Sequence, residues 1–308
     1  MNLPEPSRTT VAGHRVAYVD MGDGPPVLLL HGFPTSSFLW RRQAWLLAQR
    51  MRVIAPDLLG YGSSDRPQEA DLSEPAQAGY LRELLASLSV NRIAMVGHDL
   101  GGAIAQILAL DAAELDIPAL VLLDAPSFDA GPTAMVRSLQ QASPDDATEA
   151  FVADAVRGAF DRGMGHRDRL SDEDLEGYIG PWLADPPSLV RAAREITGRG
   201  LAGREPDLAR LHQAAFLVWG EDDPFVSPEI GERLNELLPG SSLALLPGCS
   251  HFVTDDAAQT VGPLVYEYLR SRYLGDEHGH AAATGPVPVF LQRPPATFFD
   301  QGPEDEED

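Results

Sequence analysis

Six short aliphatic segments recur along the chain, each closed by turn residues. They are PVLLLHG (26–32), MRVIAPD (51–57), RIAMVGH (92–98), ALVLLDA (119–125), AAFLVWG (214–220) and SLALLPG (242–248). None of them alternates apolar with polar residues, which is typical of strands that are buried on both faces of a parallel sheet. The pattern therefore predicts a parallel sheet built from these segments.

Helical patterns separate the apolar segments. Leucines recur at i, i+3, i+4 and i+7 within residues 73–89, and the same spacing runs from Val261 to Tyr268 near the end of the last periodic segment. Alternating strands and helices predict an α/β fold with helices on both faces of the sheet. At the start of the chain, VAGHRVAYVDMGDGPP predicts an antiparallel hairpin at the edge of that sheet.

Residues 128–212 interrupt this alternation, because they contain helical patterns and no convincing strand. We expect a helical cap here, inserted between two strands of a core formed by residues 1–127 and 213–274. Residues 275–308 are rich in Pro, Gly and acidic side chains and lack any apolar period, so we expect a disordered tail.

Charge and composition narrow the functional classes. The 308 residues carry a net charge of −23, which argues against nucleic acid or an anionic membrane as a partner. The single cysteine, Cys249, rules out an internal disulfide. Without a basic-then-apolar leader or a membrane-spanning apolar run, the sequence favours a cytoplasmic protein.

The segment VGHDLGG (96–102) places Asp99 between an apolar strand and a helix, surrounded by glycines. Small neighbours allow a tight turn that lifts one side chain out of the sheet, and the following helix directs its N-terminus at that side chain. The alternative is an ordinary turn in which Asp99 caps the helix. The other loops of the chain favour the first interpretation.

Three more loops follow predicted strands and therefore leave the same edge of the sheet. After HG in LLLHGFP, the backbone N–H of Phe33 is expected to form an oxyanion hole with that of Leu100, whereas His31 is expected to be structural. The loop WGEDDPF supplies acidic residues, and GCSHF supplies His251. The order nucleophile, acid, histidine is that of α/β-hydrolases.

These motifs, together with DLLGYGSSDRP (57–67), resemble the α/β-hydrolase fold, and they are similar to the branch of epoxide hydrolases and haloalkane dehalogenases that use an aspartate nucleophile. The resemblance covers about residues 10–272. It implies that Asp99 is the nucleophile, His251 the base and Asp223, three residues after Gly220, the acid that supports the base. In some dehalogenases the acid follows the strand before the cap, which makes Asp124 the alternative.

An ionised aspartate needs no base to attack, and against an sp3 carbon it forms an alkyl ester on the enzyme. His251 then activates the water that hydrolyses this ester. The resemblance implies an epoxide substrate with a cap tyrosine as proton donor, and Tyr178 is the only tyrosine of the predicted cap. His166 and Trp182 are further candidate donors to the leaving group.

Other functions remain open. Leu100 and Phe33 lack the side-chain donors with which many haloalkane dehalogenases hold halide, so haloalkane or haloacid dehalogenation is the first alternative. Hydrolysis of esters, lactones or C–C bonds and a non-catalytic binding role are the others. The sequence indicates no metal site and no cofactor, and we expect a small apolar organic substrate and water as the reactants. It leaves the oligomeric state open.

Overall fold

The computed structural model describes residues 3–274, in which eight strands form one sheet. The strands are β1 (Ser7–Val11), β2 (His14–Met21), β3 (Pro26–Leu30), β4 (Arg52–Pro56), β5 (Ala94–His98), β6 (Ala119–Leu123), β7 (Ala214–Gly220) and β8 (Ser242–Leu246). Their order across the sheet is β1-β2-β4-β3-β5-β6-β7-β8. β2 runs antiparallel to β1 and β4, and all other neighbours are parallel. The predicted edge hairpin and the mostly parallel sheet are confirmed.

Helices cover both faces of the sheet, which explains why its central strands are apolar throughout. Every residue of β5 and β6 is buried. The helices are α1 (Gln43–Leu47), α2 (Glu74–Ser87), α3 (Leu100–Asp111), α4 (Ala134–Gln141), α5 (Glu149–Gly163), α6 (Asp172–Leu183), α7 (Pro187–Glu195), α8 (Glu205–Leu208), α9 (Pro228–Leu237), α10 (Val253–Asp256) and α11 (Ala258–Leu269). The helix predicted over 73–89 is α2, whose apolar stripe packs into the core.

Between β6 and β7 the chain forms the five helices α4–α8, and the name cap is used below for this segment of the structure. The N-terminus of α6 is capped by Ser171, whose Oγ accepts a hydrogen bond of 3.1 Å from the backbone N–H of Asp174. The helix α4 was not predicted as a separate element. Its start is capped by Thr133, which accepts from the N–H of Val136 at 3.2 Å.

The carboxyl ends of the parallel strands bring four loops to one edge of the sheet. These are the loops that follow β3, β5, β7 and β8, and each carries one of the predicted site residues. Within residues 3–274, no helix is both long enough and apolar enough to span a membrane. The tail predicted over 275–308 lies outside the described range.

Candidate active site

Asp99 occupies the turn between β5 and α3 with a backbone conformation that side chains rarely adopt. Its φ is 49° and its ψ is −125°. Its carbonyl accepts the N–H of Gly102 at 2.8 Å, while its own N–H donates to Leu123 of the neighbouring strand at 3.1 Å. A non-glycine residue held this way is strained, and such strain is common at functional turns.

Glycines let the backbone crowd around this turn. A Cβ placed on Gly32 would lie 2.5 Å from Oδ2 of Asp99, and one on Gly101 would lie 2.3 Å from the carbonyl oxygen of Leu30. Neither position has room for a side chain. The two glycines therefore set how closely the turn approaches the loop after β3.

The carboxylate of Asp99 is held by backbone donors. The N–H of Phe33 donates to Oδ2 at 2.9 Å, and the N–H of Leu100 also stabilises the charge. Burial raises the pKa of Asp99, while the charge of His251 and these two donors lower it, and the net shift is upward. Both backbone groups predicted as oxyanion donors therefore lie at the carboxylate of Asp99, and that of Phe33 binds Oδ2.

His251 lies between two carboxylates. Its Nδ1 is 2.9 Å from Oδ2 of Asp223, and its Nε2 is 3.8 Å from Oδ1 of Asp99. Burial lowers the pKa of His251, but the charge and hydrogen bond of Asp223 and the charge of Asp99 outweigh it, so the pKa lies above its usual value. The remaining oxygen of Asp223 accepts from the N–H groups of Phe225 and Val226 at 2.8 and 3.0 Å.

The structure brings Asp223, and not Asp124, to the imidazole of His251. Asp124 follows β6 and is fully buried, and its Oδ1 accepts from the N–H of Gly220 at 2.9 Å. Burial and the charge of Asp223 raise the pKa of Asp124 well above its ordinary value. His31 has the structural role expected of it, since its Nε2 accepts from the N–H of Leu58 at 3.0 Å.

A mostly apolar cavity opens onto Asp99 and His251. Its walls come from the loops of the core, from α4 and α5, and from the segment that follows α7. Three further polar side chains line it: Glu74, Ser127 and Thr133. Among the described residues that line this cavity there is no Tyr, Trp, Lys or Arg.

The structure does not bring Tyr178 to the cavity. Its hydroxyl donates to Oδ2 of Asp255 at 2.6 Å and accepts from Arg41 at 2.8 Å. Burial, then the charge of Asp255, raise the pKa of Tyr178 well above its ordinary value. A phenol that is engaged at both ends and has a raised pKa is a poor acid, so the structure does not support the prediction that it protonates the leaving group.

The two other candidate donors also lie outside the cavity lining. The indole N–H of Trp182 donates to the carbonyl of Pro34 at 2.8 Å. The backbone N–H of His166 donates to Asp256 at 2.8 Å, and its ring lies 3.5 Å from the position of a Cβ on Gly248. Both residues join the cap to the core, and the structure does not support a role for either in holding a leaving group.

The sequence analysis missed two polar groups that join cap and core. Arg41 is 3% exposed and binds Asp255 at 2.6 Å and Asp174 at 2.8 Å. Glu74, 2% exposed, accepts from the N–H groups of Thr197 and Gly198 at 3.2 and 2.8 Å. Both are charged residues within apolar surroundings, and only their three-dimensional partners reveal why they are there.

A family model for the α/β hydrolase fold matches residues 25–258. With the sheet order and the arrangement of Asp99, His251 and Asp223 described above, this match defines the class: the chain belongs to the α/β-hydrolase fold family and is a hydrolase.

Three similar proteins share between 28% and 30% sequence identity with this chain. The chain is 30% identical over 262 residues to haloalkane dehalogenase 2 of Mycobacterium tuberculosis, covering 82% of this chain and 91% of that protein. It is 28% identical over 270 residues to a soluble epoxide hydrolase of Corynebacterium sp., covering 82% and 92%. An α/β hydrolase fold protein from Burkholderia ambifaria superposes with a TM-score of 0.78 at 30% identity, covering 87% of this chain and 98% of that one.

Proposed function

We propose that the protein hydrolyses a bond between an sp3 carbon and a leaving group, through an ester between the substrate and Asp99. The arrangement of the Asp99 carboxylate supports this most directly. Oδ2 accepts from a backbone donor, whereas Oδ1 lies 3.8 Å from Nε2 of His251, and both residues line the cavity. A carboxylate attacking through Oδ1 needs no proton removed, so its contact with His251 serves the second step.

In the first step Oδ1 of Asp99 forms a bond to the substrate carbon, and the leaving group departs with the electron pair of the bond that breaks. In the second step Nε2 of His251 takes a proton from water, and the water oxygen attacks Cγ of Asp99. The negative charge then develops on Oδ2, to which the N–H of Phe33 already donates, and the N–H of Leu100 is a second donor to the same carboxyl group. Collapse expels the alcohol oxygen, which receives the proton from His251. The second proton of the water remains on the carboxyl group of Asp99 and is then lost to solvent, which restores the carboxylate.

The supporting acid is Asp223 in this proposal. It accepts the hydrogen bond from Nδ1 of His251, which leaves Nε2 of the neutral ring without a proton and able to act as base. Its charge also stabilises the imidazolium that forms when His251 takes the proton. Asp124 hydrogen-bonds to Gly220 instead and does not occupy this position.

The residues that line the cavity favour a leaving group that is a weak base and can depart without a proton. An alkoxide from an opened epoxide requires an acid, and no described residue that lines the cavity carries a phenol. A halide departs without a proton, and a haloalkane dehalogenase is among the relatives at 30% identity. We therefore propose a neutral haloalkane-like substrate. Epoxide hydrolysis is the second candidate, favoured by the similarity to a soluble epoxide hydrolase.

A trapping experiment tests the covalent step. The variant His251→Gln, mixed with a bromoalkane or an epoxide from a panel, should accumulate a stoichiometric adduct on the peptide that contains Asp99. Intact-protein and peptide mass spectrometry detect it. The exposed His212 provides the matched control, because His212→Gln should turn over without accumulating an adduct. An unmodified His251→Gln protein, given a substrate that the wild type consumes, contradicts the proposal.

Labelled water provides a second test. In a single turnover in oxygen-18 water, the label should enter the carboxyl group of Asp99, because water attacks Cγ and not the substrate. A label found only in the alcohol product after one turnover would show that water attacks the substrate directly.

The variant Asp99→Ala tests the nucleophile itself. It should abolish turnover of every substrate of this class. Hydrolysis of an aryl ester that survives in this variant would indicate a separate reaction.

A further inference from the structure

A second buried carboxyl group lies next to Asp223 and takes no part in the steps above. Asp124 is fully buried, and its φ of 45° is strained for a residue with a side chain. Its Oδ1 accepts from Gly220, but no hydrogen-bond donor reaches its Oδ2 among the described residues. Gly220 joins this residue to Asp223, because the N–H of Gly220 donates to Asp124 and its carbonyl accepts from the N–H of Asp223 at 3.4 Å. Besides burial, the charge of Asp223 acts on the carboxyl of Asp124 and raises its pKa.

The hydrogen-bond donors around the two carboxyl groups are unequal. Asp223 accepts from Phe225, Val226 and His251 at 2.8, 3.0 and 2.9 Å. Asp124 accepts only from Gly220 within the described part of the chain. Two buried carboxylates that face each other without a donor between them repel strongly, so one of the two must hold a proton. The proton belongs on the carboxyl group that has fewer donors.

We propose that Asp124 is an uncharged carboxylic acid at neutral pH and donates its proton from Oδ2 to Asp223, which makes it a positioning residue for His251. The inference rests on the proposed role of His251 as base. It extends the catalytic group from three residues to four.

The surroundings of Asp124 favour this state. Besides Asp223, the charged group that acts on it is Asp99, which is also negative and therefore also opposes ionisation. The nearby thiol of Cys249 is uncharged, because burial and acidic neighbours raise its pKa to about 11. Burial itself raises the pKa of Asp124 in the same direction.

Two consequences follow for His251. It faces one buried negative charge at its Nδ1 side instead of two, so its pKa is raised by Asp223 alone on that side. The carboxyl of Asp223 is also fixed on all sides, since a donor from Asp124 is added to the two backbone N–H groups. A second ionised carboxylate would raise the pKa of His251 further and reduce the fraction of neutral base at neutral pH.

The pKa of His251 in the substrate-free protein distinguishes the two protonation states of Asp124. It can be measured by NMR titration of the imidazole ring, with no need for turnover. If Asp124 is uncharged, Asp124→Asn replaces one neutral donor with another, and the pKa of His251 should change by less than about 0.5 unit. If Asp124 is ionised, the same variant removes a buried charge and should lower this pKa by about one to two units, which would overturn the proposal.

Two controls frame this measurement. Asp99→Asn removes a buried charge that does act on His251, so it should lower the pKa and show that the titration detects such a loss. Asp222→Asn removes an exposed charge one residue from Asp223 and should leave the pKa of His251 nearly unchanged. Neither readout depends on whether an ester forms on Asp99, so failure of the reaction mechanism and failure of this pair are distinguishable.

Infrared spectroscopy supplies an independent measurement if Asp124→Asn does not fold. Protein with carbon-13 in its Asp carboxyl groups should show the C=O band of a protonated carboxylic acid that persists at about pH 8, far above the pKa of an ordinary Asp. Where Asp124→Asn does fold, the variant should lack this band. The absence of the band from the wild-type protein would overturn the proposal.

Discussion

The imidazole of His251 is hydrogen-bonded through Nδ1 to Oδ2 of Asp223 over 2.9 Å, and both side chains are buried. This contact fixes which ring nitrogen faces the reaction. It also places a charge where the imidazolium needs it, out of reach of solvent screening.

Replacing Asp223 should therefore slow the reaction strongly. We expect Asp223→Asn to lower turnover by a factor of about 10²–10⁴, because the amide neither orients the ring in the correct tautomer nor stabilises its charge. Asp222→Asn is the matched control: Asp222 is exposed, so the loss of its charge should change turnover by less than about twofold. Steady-state kinetics with any accepted substrate measure both, and equal effects of the two variants would contradict the role of Asp223.

The pH dependence of ester hydrolysis follows from the raised pKa of His251. The base must be neutral, so hydrolysis is lost as the pH falls through this pKa. In the substrate-free protein the pKa of His251 should lie above about 6.5, the ordinary value for histidine. Because Asp99 loses its charge when it is esterified, the pKa of His251 should fall in the intermediate. Single-turnover measurements should place the limb for decay of the intermediate at lower pH than the pKa found by NMR in the free protein.

The acidic residues that line the cavity predict which substrates bind poorly. Glu74 and Asp99 both line it, and no Lys or Arg does so among the residues that the structure describes. A carboxylate substrate would be buried without a counter-charge. We expect kcat/KM for a halocarboxylate to be lower than for its neutral amide by a factor of about 10² or more. Glu74→Gln should reduce this discrimination. A preference for the carboxylate would instead favour haloacid dehalogenation.

Tyr178→Phe separates a structural role from a chemical one. The variant removes the hydroxyl that joins Asp255 and Arg41, so we expect a loss of about 1–3 kcal/mol in the free energy of unfolding. Tyr80→Phe removes a solvent-exposed hydrogen bond to Asp71 and should cost far less. Denaturant unfolding measures both. If Tyr178→Phe instead slows epoxide opening and leaves stability unchanged, the phenol reaches the substrate after all.

The sequence predicted the sheet and the loops at its edge because buried parallel strands leave an aliphatic pattern that is visible without an alignment. It failed for Tyr178 because helical periodicity assigns a residue to a face, whereas the partner of a hydroxyl depends on side chains from distant segments. Arg41 is 137 positions away from Tyr178 along the chain. The choice between Asp223 and Asp124 likewise depended on loop geometry, since each carboxyl group follows a strand that ends at the same sheet edge.

The buried contact of Arg41 with Asp255 and Tyr178 makes the cap a poor unit for exchange between relatives. Helix α10, which carries Asp255, begins two residues after His251, so one set of hydrogen bonds spans the cap and the segment that holds the base. A chimera that receives only a foreign cap would keep the pair of Arg41 and Asp255 but lose its hydrogen bonds to Tyr178 and Asp174, at a cost of about 1–3 kcal/mol for each buried group left unsatisfied. Successful recombination must transfer these two core residues together with the cap. A new cap therefore requires matching residues at positions 41 and 255, which do not line the cavity.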